Sequence, residues 1–219
     1  MTAQIHLRTA LRDQFGPAAR AQGYRGSAPT WRKVSEADYV AVVNVQTSSS
    51  STASRVMCVL NISVVPEPYL RWQAARGYPV DPRKVANGMG PYFDRYEPSS
   101  PGAIRADWWD VYDDASASTA VQDMLQQMAD GGWSRLDSVI TPEGMLASVR
   151  KGDLGFGSPR SPGGPLWKAR SLLLMDAGPS DELDEALDGF LHDAGPHREH
   201  RERFVSWVRE QAHRAERLR

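Results

Sequence analysis

The stretch Tyr39 to Pro66, YVAVVNVQTSSSSTASRVMCVLNISVVP, constrains the fold more than any other part of the chain. Two runs rich in β-branched residues flank a Ser/Thr-rich turn, the pattern of two antiparallel strands at the middle of a sheet. On the second strand Cys58, Leu60, Ile62 and Val64 share one face, apolar throughout, which assigns that face to a core. On the first, Val40 and Val42 lie on the same side as Asn44 and Gln46, so one face turns from apolar to amide. The loop between the strands is long and repetitive. It leaves open whether Asn44 and Asn61 share a face.

Around this pair the periodicity is mostly helical. Leu7, Leu11, Phe15, Ala18 and Ala19 recur at helical spacing, with Pro17 expected to kink or split the helix and Gly23 to cap it. Thr30 to Ser35 alternates as a short strand, and YLRWQAARG, stopped by Gly77, gives one or two helical turns. From about Tyr78 to Ala106 the chain holds Pro79, Pro82, Pro91, Pro98 and Pro101, and it is expected to be mainly loop. DWWDVY, Asp107 to Tyr112, alternates as another strand. Ser116 or Ser118 would cap the helix after it, with Val121, Met124, Leu125 and Met128 inward and Gly131-Gly132 at its end. Thr141-Pro142 opens a further helix with Leu146 and Val149 facing inward.

KGDLGFGSPRSPGGP, residues 151–165, is the clearest break and is expected to be a linker or loop. Leu166 to Ala177, a segment capped by Ser180, and the stretch from about Pro196 onward each carry a helical stripe. The expected architecture is therefore α+β: an antiparallel sheet of about four strands packed by helices within residues 1–150, then the linker, then a helical extension over residues 166–219.

Charge and cysteine usage narrow the function classes. A net charge of -1 supplies no global field to attract nucleic acid or an anionic membrane. Cys58 stands alone, so an intrachain disulfide and a thiolate metal cluster are excluded, and its run VMCVL marks it as a buried, inert thiol. The N-terminus lacks the apolar core of a signal peptide and no stretch approaches the ~18 apolar residues of a membrane span, so a cytoplasmic location is expected. Residues 176–193 hold seven acids and no Lys or Arg, whereas residues 197–219 hold seven arginines and four glutamates. An antiparallel helix pair would satisfy both; a basic arm for nucleic acid is disfavoured by the interspersed glutamates.

Candidate chemistry is sparse. Asn44, Gln46 and Asn61 offer amide donors and acceptors for a peptide edge or a polar ligand, or for nearby loop backbone. Asp107, Asp110, Asp113 and Asp114 surround Trp108 and Trp109, ingredients of acid/base chemistry, but on a strand Asp107 and Asp110 fall on opposite faces. His197 and His200 have a ligand spacing without an evident third ligand. Gly152, Gly155 and Gly157 lack the strand and the lysine-serine step of a nucleotide loop. Trp31, Trp72, Tyr92, Phe93 and Tyr96 would line either a groove or a core.

Four features together resemble a family of uncharacterised bacterial domains of unknown function: the opening helix ending in Gly23-Tyr24, the step Trp31-Arg32, Asn44-Val45-Gln46 on one strand, and Leu60-Asn61-Ile62-Ser63 on the next. DWWDVY followed by a helix and GGWSRLDSV matches the later half. The resemblance covers about residues 1–150 and implies a compact α+β domain with helices over an antiparallel sheet. It implies no activity.

The expectation from these residues is a non-catalytic protein-binding module of immunity-protein or adaptor type, using a sheet face and aromatic loop. Trp31, Arg32, Asn44, Gln46, Asn61, Trp108 and Asp110 are its candidate contact residues, with no metal or cofactor. The alternative is a hydrolase or transferase in which Asp107, Asp110 and an arginine such as Arg32 converge. A nucleic-acid role through the C-terminal arginines is third.

Overall fold

The computed structural model describes residues 1–100, 106–156, 163–192 and 198–219. A sheet of six strands forms its centre: β1 (Arg25–Ser27), β2 (Thr30–Val34), β3 (Val40–Thr47), β4 (Val56–Val65), β5 (Tyr92–Tyr96) and β6 (Trp109–Val111). Every pairing is antiparallel, in the order β1-β2-β3-β4-β5. The strand β6 shares the far side of β4 with β5, running along Val56 to Cys58 while β5 runs along Leu60 to Val64. The expected four strands are thus extended by β1 and β5. The second of these, YFDRY, is hidden between prolines and is defined by its partner rather than by its own pattern.

All ten residues of β4 are buried, so both faces of the sheet centre are covered. On one face Ala41, Val43 and Val45 of β3 and Cys58, Leu60, Ile62 and Val64 of β4 join Phe15, Trp31, Val121, Met124 and Leu136 in the main core. On the other, Val40, Val42 and Val65 pack under Val85 and Leu70, while Met57 and Val59 pack under Trp108.

The helices supply the first layer. The helix α1 (Ala3–Ala10) runs through a π turn, Leu11–Phe15, into α2 (Gly16–Ala21), with the Gly16 N–H donating to the Leu11 carbonyl. Pro17 therefore does not split the helix. The proline lacks an N–H and its ring crowds the preceding turn, and the wider i→i+5 turn accommodates both. After α3 (Glu67–Ala75) and the long loop that contains β5, α4 (Asp114–Gln127) begins at Asp113, not at Ser116 or Ser118. Asp113 accepts from the Ser116 N–H while the Asp113 N–H donates to Ser116 Oγ, a reciprocal cap that uses the serine at its third position. As expected, regular helix gives out at the Gly131-Gly132 pair: the backbone of Gly131 is non-helical, and the chain kinks through Met128–Gly132 into a separate helix, α5 (Trp133–Val139). Thr141 caps α6 (Pro142–Arg150) by accepting from the Gly144 N–H, as its sequence predicts.

Three helices follow: α7 (Gly164–Leu174), α8 (Asp181–His192) and α9 (Arg198–Arg217). Leu166 and Ala169 of α7 join the main core. The Trp72 ring of α3 reaches into the helical layer, 5.1 Å from Phe204 edge-on and 5.1 Å from Trp207. The acids of α8 are met from outside that helix: Arg150 forks onto Glu182, Arg170 lies 3.1 Å from Glu182 and Glu185, and Arg209 approaches Asp184 and Asp188. In the Gly/Pro-rich stretch, Leu154 is buried and Gly155 bridges Phe93; residues 157–162 lie outside the described residues. No described helix is long and apolar enough to cross a membrane.

Candidate functional site

The alternating face of the sheet away from α1, α4 and α5 carries the polar residues. Asn44 stands directly across from Asn61, so the two amides share that face. Asn61 is wholly buried, donating to Gln46 Oε1 at 2.9 Å and accepting from Arg95 Nε at 3.2 Å. Asn44, half-buried, donates to Thr30 Oγ1 at 2.8 Å. The Arg95 guanidinium also lies over the Phe156 ring, 5.2 Å from its centroid. Three strands thus lock one amide between an exposed glutamine and a cation, and each group of Asn61 is satisfied within the fold.

The other candidate contacts are dispersed. Trp31 is wholly buried, its ring 4.9 Å from that of Phe15, and offers no surface to a partner. Trp72 and Tyr92 are buried as well. Trp108 closes over Met57 and Val59. Asp110, on β6, accepts from Arg55 at 2.5 Å and 3.0 Å. Arg32, on β2, donates from Nε to the Val85 carbonyl at 2.7 Å. Asp110 pairs across from Met57, whereas Arg32 aligns through Val42 with Ser63, a separation of six residues along β4. At ~3.4 Å per residue that is about 20 Å, so Asp110 and Arg32 do not converge on one reacting atom.

Arg32 instead belongs to a different constellation. Arg25 is its direct partner across β1 and β2, which places both side chains on one face. Arg83, from the turn Pro82–Lys84, completes a hollow of about 470 Å³ with Gly23, Gly26, Lys33 and Val34. No acid lines it. Lys33 is drawn away to Asp137 at 2.7 Å. Like charges directly opposite on neighbouring strands are destabilising, and partial burial lowers the Arg32 pKa because no carboxylate compensates it. Arg25 and Arg83 have no ion pair among the described residues. Sequence reading missed both, since nothing local links positions 25, 32 and 83.

A second polar network is structural in character. Arg135 of α5 donates to the Tyr92 hydroxyl at 2.9 Å and to Ser148 Oγ at 3.1 Å, and it pairs with Asp153. Ser148 in turn donates to the Asp153 carbonyl at 2.7 Å, which ties the start of the Gly/Pro-rich stretch to α5 and α6. Burial pushes the Cys58 thiol up to about 12, the behaviour of a thiol that does not react. Among the described residues no group of three or more His, Cys, Asp or Glu side chains is arranged to hold a metal; His197 lies outside them.

The C-terminal arginines are largely engaged. Arg198 and Arg214 pair with Glu202 and Glu210 along α9, Arg209 faces α8, Arg201 donates to the Phe190 carbonyl, and Arg219 to the Asp176 carbonyl.

A family model described as a domain of unknown function (DUF4304) matches residues 15–138, a span that holds all six strands, the amide cluster and the three arginines. No curated protein and no solved structure matches the chain.

Proposed function

The chain belongs to the family of domains of unknown function DUF4304, and from that starting point we propose that it is a non-catalytic protein-binding module, of immunity-protein or adaptor type, that receives an acidic partner surface at the β1–β2 end of its sheet. One observation carries the reading: Arg25, Arg32 and Arg83 surround one open hollow whose lining, among the described residues, includes no carboxylate. Guanidiniums present planar forks suited to carboxylates, and a protein partner supplies several at once. The adjoining strand β1 is exposed along its length and lies at the sheet edge, where a partner backbone gains ladder hydrogen bonds. Of the initial contact candidates, Arg32, Asn44 and Gln46 remain accessible, whereas Trp31, Asn61 and Trp108 are buried.

The test is a stoichiometric capture from the source cells, with mass spectrometry, run in parallel on the wild type and on the double variant Arg25→Glu, Arg83→Glu. A partner held by the wild type and lost by the variant supports the reading. No stoichiometric partner, or one retained after charge reversal, overturns it.

A further inference from the structure

A cleft of about 430 Å³ opens where the helical layer meets the sheet half of the molecule, within the ~300–1,000 Å³ range of small-ligand sites. Tyr69 of α3 and Met89 and Pro91 of the loop before β5 form one wall; Leu172 of α7 and Phe190 of α8 form the other. Between them stands Lys168. Its ammonium lies over the rings of Tyr69, at 4.8 Å, and Phe204, at 5.8 Å, and it makes no ion pair among the described residues. Among the described residues, the charged or titratable groups facing it are cationic or neutral: Tyr69 from α3, Arg76 just after it, and His200 and Arg201 from α9. Among the described residues the lining includes no acid.

We propose that this cleft binds an organic monoanion with an apolar body, a medium-chain carboxylate, with Lys168 as its counter-ion. An ammonium withdrawn from water without a partner is costly, and a carboxylate entering beside it recovers that cost. Burial, reinforced by the charge of Arg76, pulls the Lys168 pKa down to about 8, the mark of a cation that lacks an anion. The apolar walls then cover the chain of the ligand while the polar end stays at Lys168. A protein carboxylate is a poor occupant here, because the walls are set for an alkyl chain rather than for a polar backbone. The inference does not depend on the arginine hollow.

Isothermal titration calorimetry on the full chain, with decanoate and decanol as probes, tests it. Decanoate should bind the wild type about tenfold more tightly than decanol or better. Lys168→Met should bring the two within about twofold while keeping decanol, and Lys168→Arg should keep the preference. Leu172→Trp, which fills the cleft, should abolish binding of both in a chain whose circular dichroism is unchanged. Absent decanoate binding, equal affinity of the wild type for the two probes, a preference that survives in Lys168→Met, or full binding in Leu172→Trp would each overturn the proposal.

Discussion

Asn44 and Asn61 face each other across the β3–β4 ladder, yet neither amide bonds to the other. Asn61 is held by Gln46 and Arg95, and Asn44 by Thr30. The two positions differ in what removal leaves behind. Asn61→Ala removes two hydrogen bonds from a wholly buried position and should cost about 1–3 kcal/mol, while Asn44→Ala should cost less than ~1 kcal/mol. Urea denaturation of the two variants gives the comparison; equal losses would mean that Asn61 is not the centre of the cluster.

Trp72 should behave as the joint between α3 and the helical layer. Replacing it with Ala removes contacts to Phe204 and Trp207 and leaves a void, at a cost of about 3–5 kcal/mol. Limited proteolysis should then cut first within residues 166–219. Unchanged cleavage would show that other contacts hold those helices.

The lowered Lys168 pKa fixes the sign of a pH effect. Between about 8, its value in the folded chain, and its ordinary 10.5, the unfolded chain binds more protons, so this group makes stability rise with pH across that window. Lys168→Met removes the cost of the buried charge and should be more stable than wild type at pH 7 by about 1 kcal/mol, after allowance for partial solvation. The gap should close by about pH 10.5.

Arg25→Gln and Arg83→Gln should each leave the denaturation midpoint within about 0.5 kcal/mol of wild type at moderate salt, and should raise it at low salt where like charges are unscreened. A large loss from either would mean that the hollow is a structural feature rather than a docking one.

Cys58 should resist alkylation in the native protein at pH 8 and react only at the rate of unfolding, since its thiol is pushed up to about 12 and is buried. Rapid labelling without loss of structure would contradict the packing of β4.

The central hairpin, the helix at Glu67–Ala75 and the Thr141 cap were legible because β-branched runs, helical spacing and an Ser/Thr-Pro start act locally. The strand β5 was not, because Tyr92 to Tyr96 owes its conformation to Val64 through Leu60 across the ladder. The register that aligns Asn44 with Asn61 is equally non-local, set by two faces that must both be covered. The arginine hollow escaped for the same reason: it forms when the Val85 carbonyl binds Arg32 and thereby sets Arg83 beside β1. Lys168 is one cation within the helical stretch Leu166 to Ala177, and nothing local marks it; the approach of Tyr69 and Phe204 is what removes it from water.

The π turn at Leu11–Phe15 and the kink at Met128–Gly132 lie close to facing rings: Phe15 at the end of the first is 6.0 Å from Trp133, just after the second. The π turn holds one residue more than the surrounding α-helix would, and so rotates all that follows by about a third of a revolution. The kink redirects the chain through the non-helical backbone of Gly131. The aromatic pair therefore depends on a phase slip in one segment and a bend in the other, and deleting one residue from Leu11–Phe15 would restore an ordinary helix there and swing Phe15 away from Trp133.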